Sequence, residues 1–211
     1  MSGNPQHIAH TERLLALLRS DFRVPRATRT VVAVAGESGS GKSVTAANLA
    51  DALRAAGIGT AIIHQDNYFV RPPHTNHEYR LQVNLASVGP QEVQLDLIQS
   101  HIAAFRAGAA DVIAPIVNYP ENRFDTQVLD FSLAQVLVVE GTYALLLDDT
   151  DIRIFLTATW EDTDDRRRAR NRDIDVPIIA TILGMEHEII SKQRARADSI
   201  IDRDFRIMRP D

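Results

Sequence analysis

The residues Gly36-Glu37-Ser38-Gly39-Ser40-Gly41-Lys42-Ser43 follow directly on the apolar run Thr30-Val31-Val32-Ala33-Val34-Ala35. Two glycines bracket four residues and are followed by a lysine and a hydroxyl residue, and each part has a physical task. Gly36 and Gly41 let the backbone turn tightly, so that successive N–H groups converge on phosphate oxygens. A helix starting here aims its positive N-terminal end at the same phosphates. The spacing predicts a phosphate-binding P-loop in which Gly36 to Val44 cradle ATP, Lys42 reaches the β- and γ-phosphates and Ser43 coordinates Mg²⁺. The bland alternative is a Gly/Ser-rich turn that binds nothing.

Other chemistry-bearing residues occur at the ends of apolar runs. Asp66 follows Thr60-Ala61-Ile62-Ile63-His64, where a carboxylate could accept the proton of an acceptor hydroxyl or stand near the metal. It could equally be a turn residue ahead of Asn67. Glu140 terminates Val136-Leu137-Val138-Val139, a position from which a carboxylate holds Mg²⁺ or one of its waters; the plainer reading is a strand-end cap of a neighbouring helix. Arg166-Arg167-Arg168-Ala169-Arg170-Asn171-Arg172-Asp173 is the concentrated positive charge of the chain. On a helix Arg168 and Arg172 share one face, which could close over the nucleotide and neutralise the transferring phosphoryl group. The same helix could instead be solvated and laced by Asp162–Arg166 and Asp164–Arg168 pairs. His74 and His77 lack a third ligand at metal spacing, and Trp160 is read as a packing residue.

The elements that must position these groups are legible as periodicity. Ile8, Thr11, Leu14, Leu15 and Leu18 make an amphipathic helix within residues 7–19, which packs on the sheet, closes its edge or contacts a second copy in a homodimer. Thr30 to Ala35 reads as a central strand, Ser43 to Ala56 as a helix stopped by Gly57, and Thr60 to His64 as the next buried strand. The polar stretch from Val70 to Gln82 reads as a covering loop. Gln91 to Ala107 is helical after Pro90, Val112 to Val117 a strand, and Thr126 to Leu129 can pair back onto it. Val136 to Glu140 and Ile152 to Leu156 are core strands with a short helix between them around Tyr143 to Leu147. A charged segment from Glu161, a helix from Pro177 to Lys192 and a short strand Ser199 to Ile201 follow. Strands alternating with helices imply crossovers and a parallel sheet, hence a three-layer α/β architecture. Ligands bind at the carboxyl edge of such sheets, where the P-loop, Asp66, Asn118/Tyr119 and Glu140 are expected to gather.

Composition sets bounds. The 211 residues suit one domain, with 1–28 as a helical extension and about 161–195 as a lid and its following helix. A net charge of −5 argues against binding duplex nucleic acid, and no apolar run is long enough to span a membrane. The absence of cysteine excludes disulfides and thiolate catalysis and is compatible with a cytoplasmic location.

Taken in order, Gly36 to Ser43, Gln65-Asp66-Asn67-Tyr68-Phe69, Val139-Glu140-Gly141, Arg168 to Asp173 and Ala197-Asp198-Ser199-Ile200-Ile201 resemble the uridine kinase and phosphoribulokinase family of P-loop kinases. The resemblance implies a P-loop NTPase fold with a five-stranded parallel core and an arginine-bearing helical lid. It implies Asp66 as the base for an acceptor hydroxyl and Glu140 near Mg²⁺. Arg168 and Arg172 then face phosphates or acceptor, with Tyr68, Tyr119 and Arg123 as further acceptor contacts. The likeness thins at Tyr119 to Phe124 and Ala86 to Pro90, where a pyrimidine pocket would be built. The expectation is an ATP- and Mg²⁺-dependent transfer of the γ-phosphoryl group to a hydroxyl of a small metabolite, a nucleoside or sugar-like alcohol. The alternative is a nucleotide-dependent regulatory ATPase or switch with no small-molecule acceptor.

Overall fold

The computed structural model describes residues 5–20, 22–24, 28–163 and 178–210. Five parallel strands form the body of a sheet of order β2-β5-β1-β6-β7: β2 (Thr60–His64), β5 (Val136–Glu140), β1 (Thr30–Gly36), β6 (Ile152–Leu156) and β7 (Ser199–Ile201). A short β8 (Ile207–Met208) adds antiparallel to β7. Every residue of β1 and β5 is buried, as continuous β-branched runs require when both sheet faces are covered.

The two faces divide the residues of each strand by alternation. Val31, Ala33 and Ala35 of β1 and Leu137 and Val139 of β5 pack with Ile98, Ile102 and Phe105 of α4 (Leu95–Ala107). Val32, Val34, Val136 and Val138 face the other way, onto Leu49 and Leu53 of α2 (Lys42–Ala55) and Leu14 and Leu18 of α1 (Pro5–Ser20). Leu14 and Leu18 are 1% and 0% exposed, so from Thr11 onward the apolar stripe of α1 is spent within the chain, on α2 and the sheet.

Three expectations need correction. β2 is the sheet's edge strand and is half-buried rather than buried. Residues 70–82 are not a plain loop: Pro73 opens a helix, α3 (Pro73–Gln82). It has no apolar stripe and is held by polar residues, Asn76 among them, so periodicity could not reveal it. The strand at Val112 lies outside the main sheet, and β3 (Val112–Asn118) pairs antiparallel with β4 (Arg123–Leu129) as a separate hairpin. Side chains fasten that hairpin to the site. Asn67 Oδ1 accepts from the Val117 N–H at 3.0 Å, and at the tip Asn122 accepts from the His74 N–H at 2.9 Å. The fifth described helix, α5 (Ile179–Ile190), returns the chain to β7 through a tight turn at Ser191–Arg196.

β1 lies between β5 and β6, with β2 on one side of it and β7 on the other. The sheet therefore switches direction at β1, and a crevice opens there beyond the strand ends.

Candidate active site

β1 ends at Gly36 and α2 begins at Lys42, so the phosphate-binding loop sits at the centre of the carboxyl edge. Gly39 has φ 81°, and a Cβ there would stand 2.5 Å from Thr163 Oγ1. Only glycine satisfies both constraints. Thr163, 1% exposed, donates its hydroxyl to the Ser38 carbonyl at 3.0 Å and braces the loop from outside. Glu37 braces it from another side. Its carboxylate accepts from the Trp160 N–H at 2.8 Å and pairs at 2.7 Å with His187 Nδ1 of α5. Lys42 Nζ donates to the Glu37 carbonyl at 2.8 Å, which keeps the ammonium folded over the loop. Ser40 is 2% exposed and its Oγ has no hydrogen-bond partner among the described residues. A buried unsatisfied hydroxyl is costly, and in a cradle of amides it suits an incoming phosphate oxygen.

Glu140 closes β5 beside this loop and is 3% exposed. Burial pushes its pKa up, but the hydrogen bond from His64, the Lys42 and His64 charges and the Ser43 hydroxyl together hold it below the ordinary carboxylate value. The His64 Nδ1–Glu140 Oε1 distance is 2.7 Å. That bond, despite partial burial, raises the His64 pKa, helped by the Glu140 and Asp66 charges. An ionised carboxylate touching the P-loop serine hydroxyl is a donor set of hard oxygens, which fits a magnesium ion. Gly141, next in sequence, is required by close approach: a Cβ would lie 2.3 Å from Gln65 Cβ. Gln65 Oε1 accepts from the Tyr143 N–H at 2.7 Å, locking the turn that carries Asp66 against the end of β5.

Asp66 lies in the wall of a cavity of about 240 Å³ that also reaches Ser38 of the loop. Phe69, Arg71, His74, Asn76 and Arg80 contribute from its own side, Tyr119 and Phe124 from the hairpin, and Ile182, Leu183 and Glu186 from α5. Of the expected acceptor contacts, Asp66 and Tyr119 are therefore in the wall. Tyr68 is not: it is 1% exposed, its hydroxyl bonded to His101 Nδ1 at 2.8 Å in the core, so it supports the turn from behind. Arg123 stands outside the wall residues at the hairpin tip, paired with Glu121 at 2.9 Å and Asp125 at 3.0 Å. Val44 shows its side chain to solvent on the first turn of α2. Arg168 and Arg172 lie outside the described residues.

Sequence reasoning missed an ionic knot in the wall of the cavity. Arg80 of α3 binds both oxygens of Glu92, at 2.7 and 2.6 Å, and Glu186 of α5 at 2.8 Å. Asn76 adds a bond to Glu92 at 3.1 Å. Burial raises the Glu186 pKa against the pull of Arg80. No local pattern links positions 80, 92 and 186. The sole hint was the polar run Glu186-His187-Glu188 inside an otherwise apolar helix, which does not single out Glu186.

A family model described as the Phosphoribulokinase / Uridine kinase family matches residues 31–175. A uridine kinase from Clostridium novyi is 28% identical over 182 residues, covering 85% of this chain and 77% of the relative. The bifunctional alpha-galactosidase/sucrose kinase AgaSK of Mediterraneibacter gnavus is 29% identical over 189 residues, or 83% of this chain. The aligned region spans only 20% of the length of that relative. Among solved structures, a possible uridine kinase from Bacillus stearothermophilus superimposes with a TM-score of 0.63 at 17% identity, over 92% of this chain and 97% of that one. Phosphoribulokinase from Rhodobacter spheroides gives 0.62 at 16% identity, over 83% and 70%. The loop, the sheet order around it and the span of the match agree, and the chain belongs to the phosphoribulokinase and uridine kinase family of ATP-dependent kinases that phosphorylate small-molecule alcohols.

Proposed function

We propose that this chain uses Asp66 to orient and deprotonate an acceptor hydroxyl while the loop from Gly36 to Val44 holds ATP, and that the acceptor, a nucleoside or sugar-like alcohol, sits in the cavity between α3, the hairpin and α5. The observation that carries this reading is the shared cavity: Asp66 and Ser38 of the phosphate loop both line it. Phosphoryl transfer passes through a loose transition state, so the protein's work is alignment and charge stabilisation. Lys42 offers its ammonium to the phosphate oxygens in place of the Glu37 carbonyl. Ser43 and Glu140 are the residues that would hold Mg²⁺, which when bound neutralises phosphate charge. The turn bearing Asp66 is fixed by Gln65, Asn67 and Tyr68, each bonded to a different element. Such bracing keeps a base within hydrogen-bond reach of one hydroxyl.

The test is Asp66→Asn. ATP binding measured by calorimetry should be unchanged, while acceptor-dependent ADP release falls by ~10² or more. Undiminished turnover would remove Asp66 from this role. Lys42→Ala should weaken both nucleotide binding and turnover, and tight ATP binding by that variant would count against the cradle.

A further inference from the structure

We propose that His187 is a positioning residue for the nucleotide: by holding the carboxylate of Glu37 it keeps a negative charge inside the phosphate loop compatible with a triphosphate. This rests on the phosphotransfer reading above and concerns its nucleotide half alone.

Glu37 is an unexpected residue in a phosphate cradle. It is 5% exposed, and a carboxylate buried next to a polyanion repels it with little water to screen the force. No lysine or arginine among the described residues pairs with that carboxylate. Lys42 bonds to the backbone carbonyl of Glu37 instead. The two carboxylate oxygens have one donor each, Trp160 N–H on Oε2 at 2.8 Å and His187 Nδ1 on Oε1 at 2.7 Å. A carboxylate only accepts, so Nδ1 carries the proton of that bond. Both donors come from outside the loop, one from the segment that follows β6 and one from α5.

The same anchor fixes the backbone of the loop. The Glu37 carbonyl accepts from the Ser40 N–H at 3.1 Å, closing a turn within the loop, and from Lys42 Nζ at 2.8 Å. The residue whose peptide orders the loop is therefore the one whose side chain His187 holds. His187 itself contributes little to the core, since its side chain is 39% exposed. α5 is fixed without it, by buried Ile182, Leu183 and Ile190 and by the 2.8 Å pair between Glu186 and Arg80. Removing the imidazole takes away the donor on Oε1 and leaves the charge uncompensated in a loop that must admit phosphate.

The experiment is calorimetric titration of the full chain with ATP and Mg²⁺, with no acceptor present. His187→Ala should raise the Kd for ATP ~10-fold. His187→Asn, whose Nδ2 donates from the place of Nδ1, should recover most of that loss. In a Glu37→Gln background no charge is left to compensate, and there His187→Ala should change Kd by less than ~3-fold. An unchanged Kd in His187→Ala overturns the proposal. An equal loss in both backgrounds also overturns it and assigns His187 to support of α5. Either result, with ATP still bound by the unmodified chain, leaves phosphotransfer standing. Failure of the unmodified chain to bind ATP overturns the nucleotide reading and this inference with it. Urea denaturation establishes that each variant is folded. Should His187→Ala not fold, His187→Phe keeps a ring and removes the donor, and full ATP affinity in that variant overturns the proposal.

Discussion

His101 shows how one residue behind the site ties its chemistry to stability. It is 5% exposed and bonded to Tyr68, whose turn carries Asp66. Its pKa is lowered by burial, against a bond to the Ile113 carbonyl. Only a ring N–H can face that carbonyl, so Nδ1 is the unprotonated nitrogen and accepts from the Tyr68 hydroxyl. The fold therefore keeps His101 neutral, whereas the unfolded chain protonates it below its ordinary pKa of 6.5. In that range the unfolded state binds more protons, so the contribution of His101 is present above pH 6.5 and lost as pH falls below it. His101→Leu should cost about 1–3 kcal/mol at pH 7.5 through the orphaned Tyr68 hydroxyl. The gap to the unmodified chain, followed by urea denaturation, should narrow steadily toward pH 5.5. A gap independent of pH would mean that His101 titrates alike in both states. Tyr68, an acceptor contact by resemblance, stands instead in the core, because the tight turn at Gln65–Tyr68 points it there.

At the scale of elements, the strands and the P-loop were legible because burial on both faces leaves a continuous apolar signature, as at Val31 to Ala35 and Val136 to Val139. α3 was not, since its packing is ionic. Arg80, 12% exposed at its side chain, ties α3 to the turn at Pro90–Glu92 and to α5 through Glu92 and Glu186. The pairing that builds this part of the cavity wall is thus spread over more than a hundred positions in sequence. Removing one partner of a buried pair leaves an uncompensated charge, so Arg80→Ala should destabilise the chain by about 3–5 kcal/mol. The triple variant Arg80→Met, Glu92→Gln, Glu186→Gln should recover a large part of that loss, because no charge is left unpaired. Denaturation midpoints of the two variants decide the matter. Equal midpoints would show that shape, and not charge, is what Arg80 contributes. The β3–β4 hairpin belongs to the same lesson: its strands are plain in the sequence, yet the side-chain bonds from Asn67 and Asn122 that hold it at the site are single contacts with no periodic trace.

For the whole molecule, the arrangement predicts how nucleotide binding and global stability are linked. The two most buried strands, β1 and β5, both end in the phosphate site, one at Gly36 and the other at Glu140. The loop is braced in turn by Thr163, by Trp160 and by His187 of α5. A ligand held there contacts the ends of the central strands and not a peripheral lobe, so it binds only the fully folded chain. At a concentration 100 times its dissociation constant such a ligand stabilises by about 2.7 kcal/mol. For a chain of this size that corresponds to a rise in Tm of ~5–10 °C. Differential scanning calorimetry with ATP and Mg²⁺ should show one transition moving upward as a whole, and Lys42→Ala should lose most of the shift. If the transition instead splits, with one part moving and the other fixed, nucleotide binding is confined to a subregion and the central strands are not its foundation. An unmoved single transition, at saturating nucleotide, would remove the loop from nucleotide binding altogether.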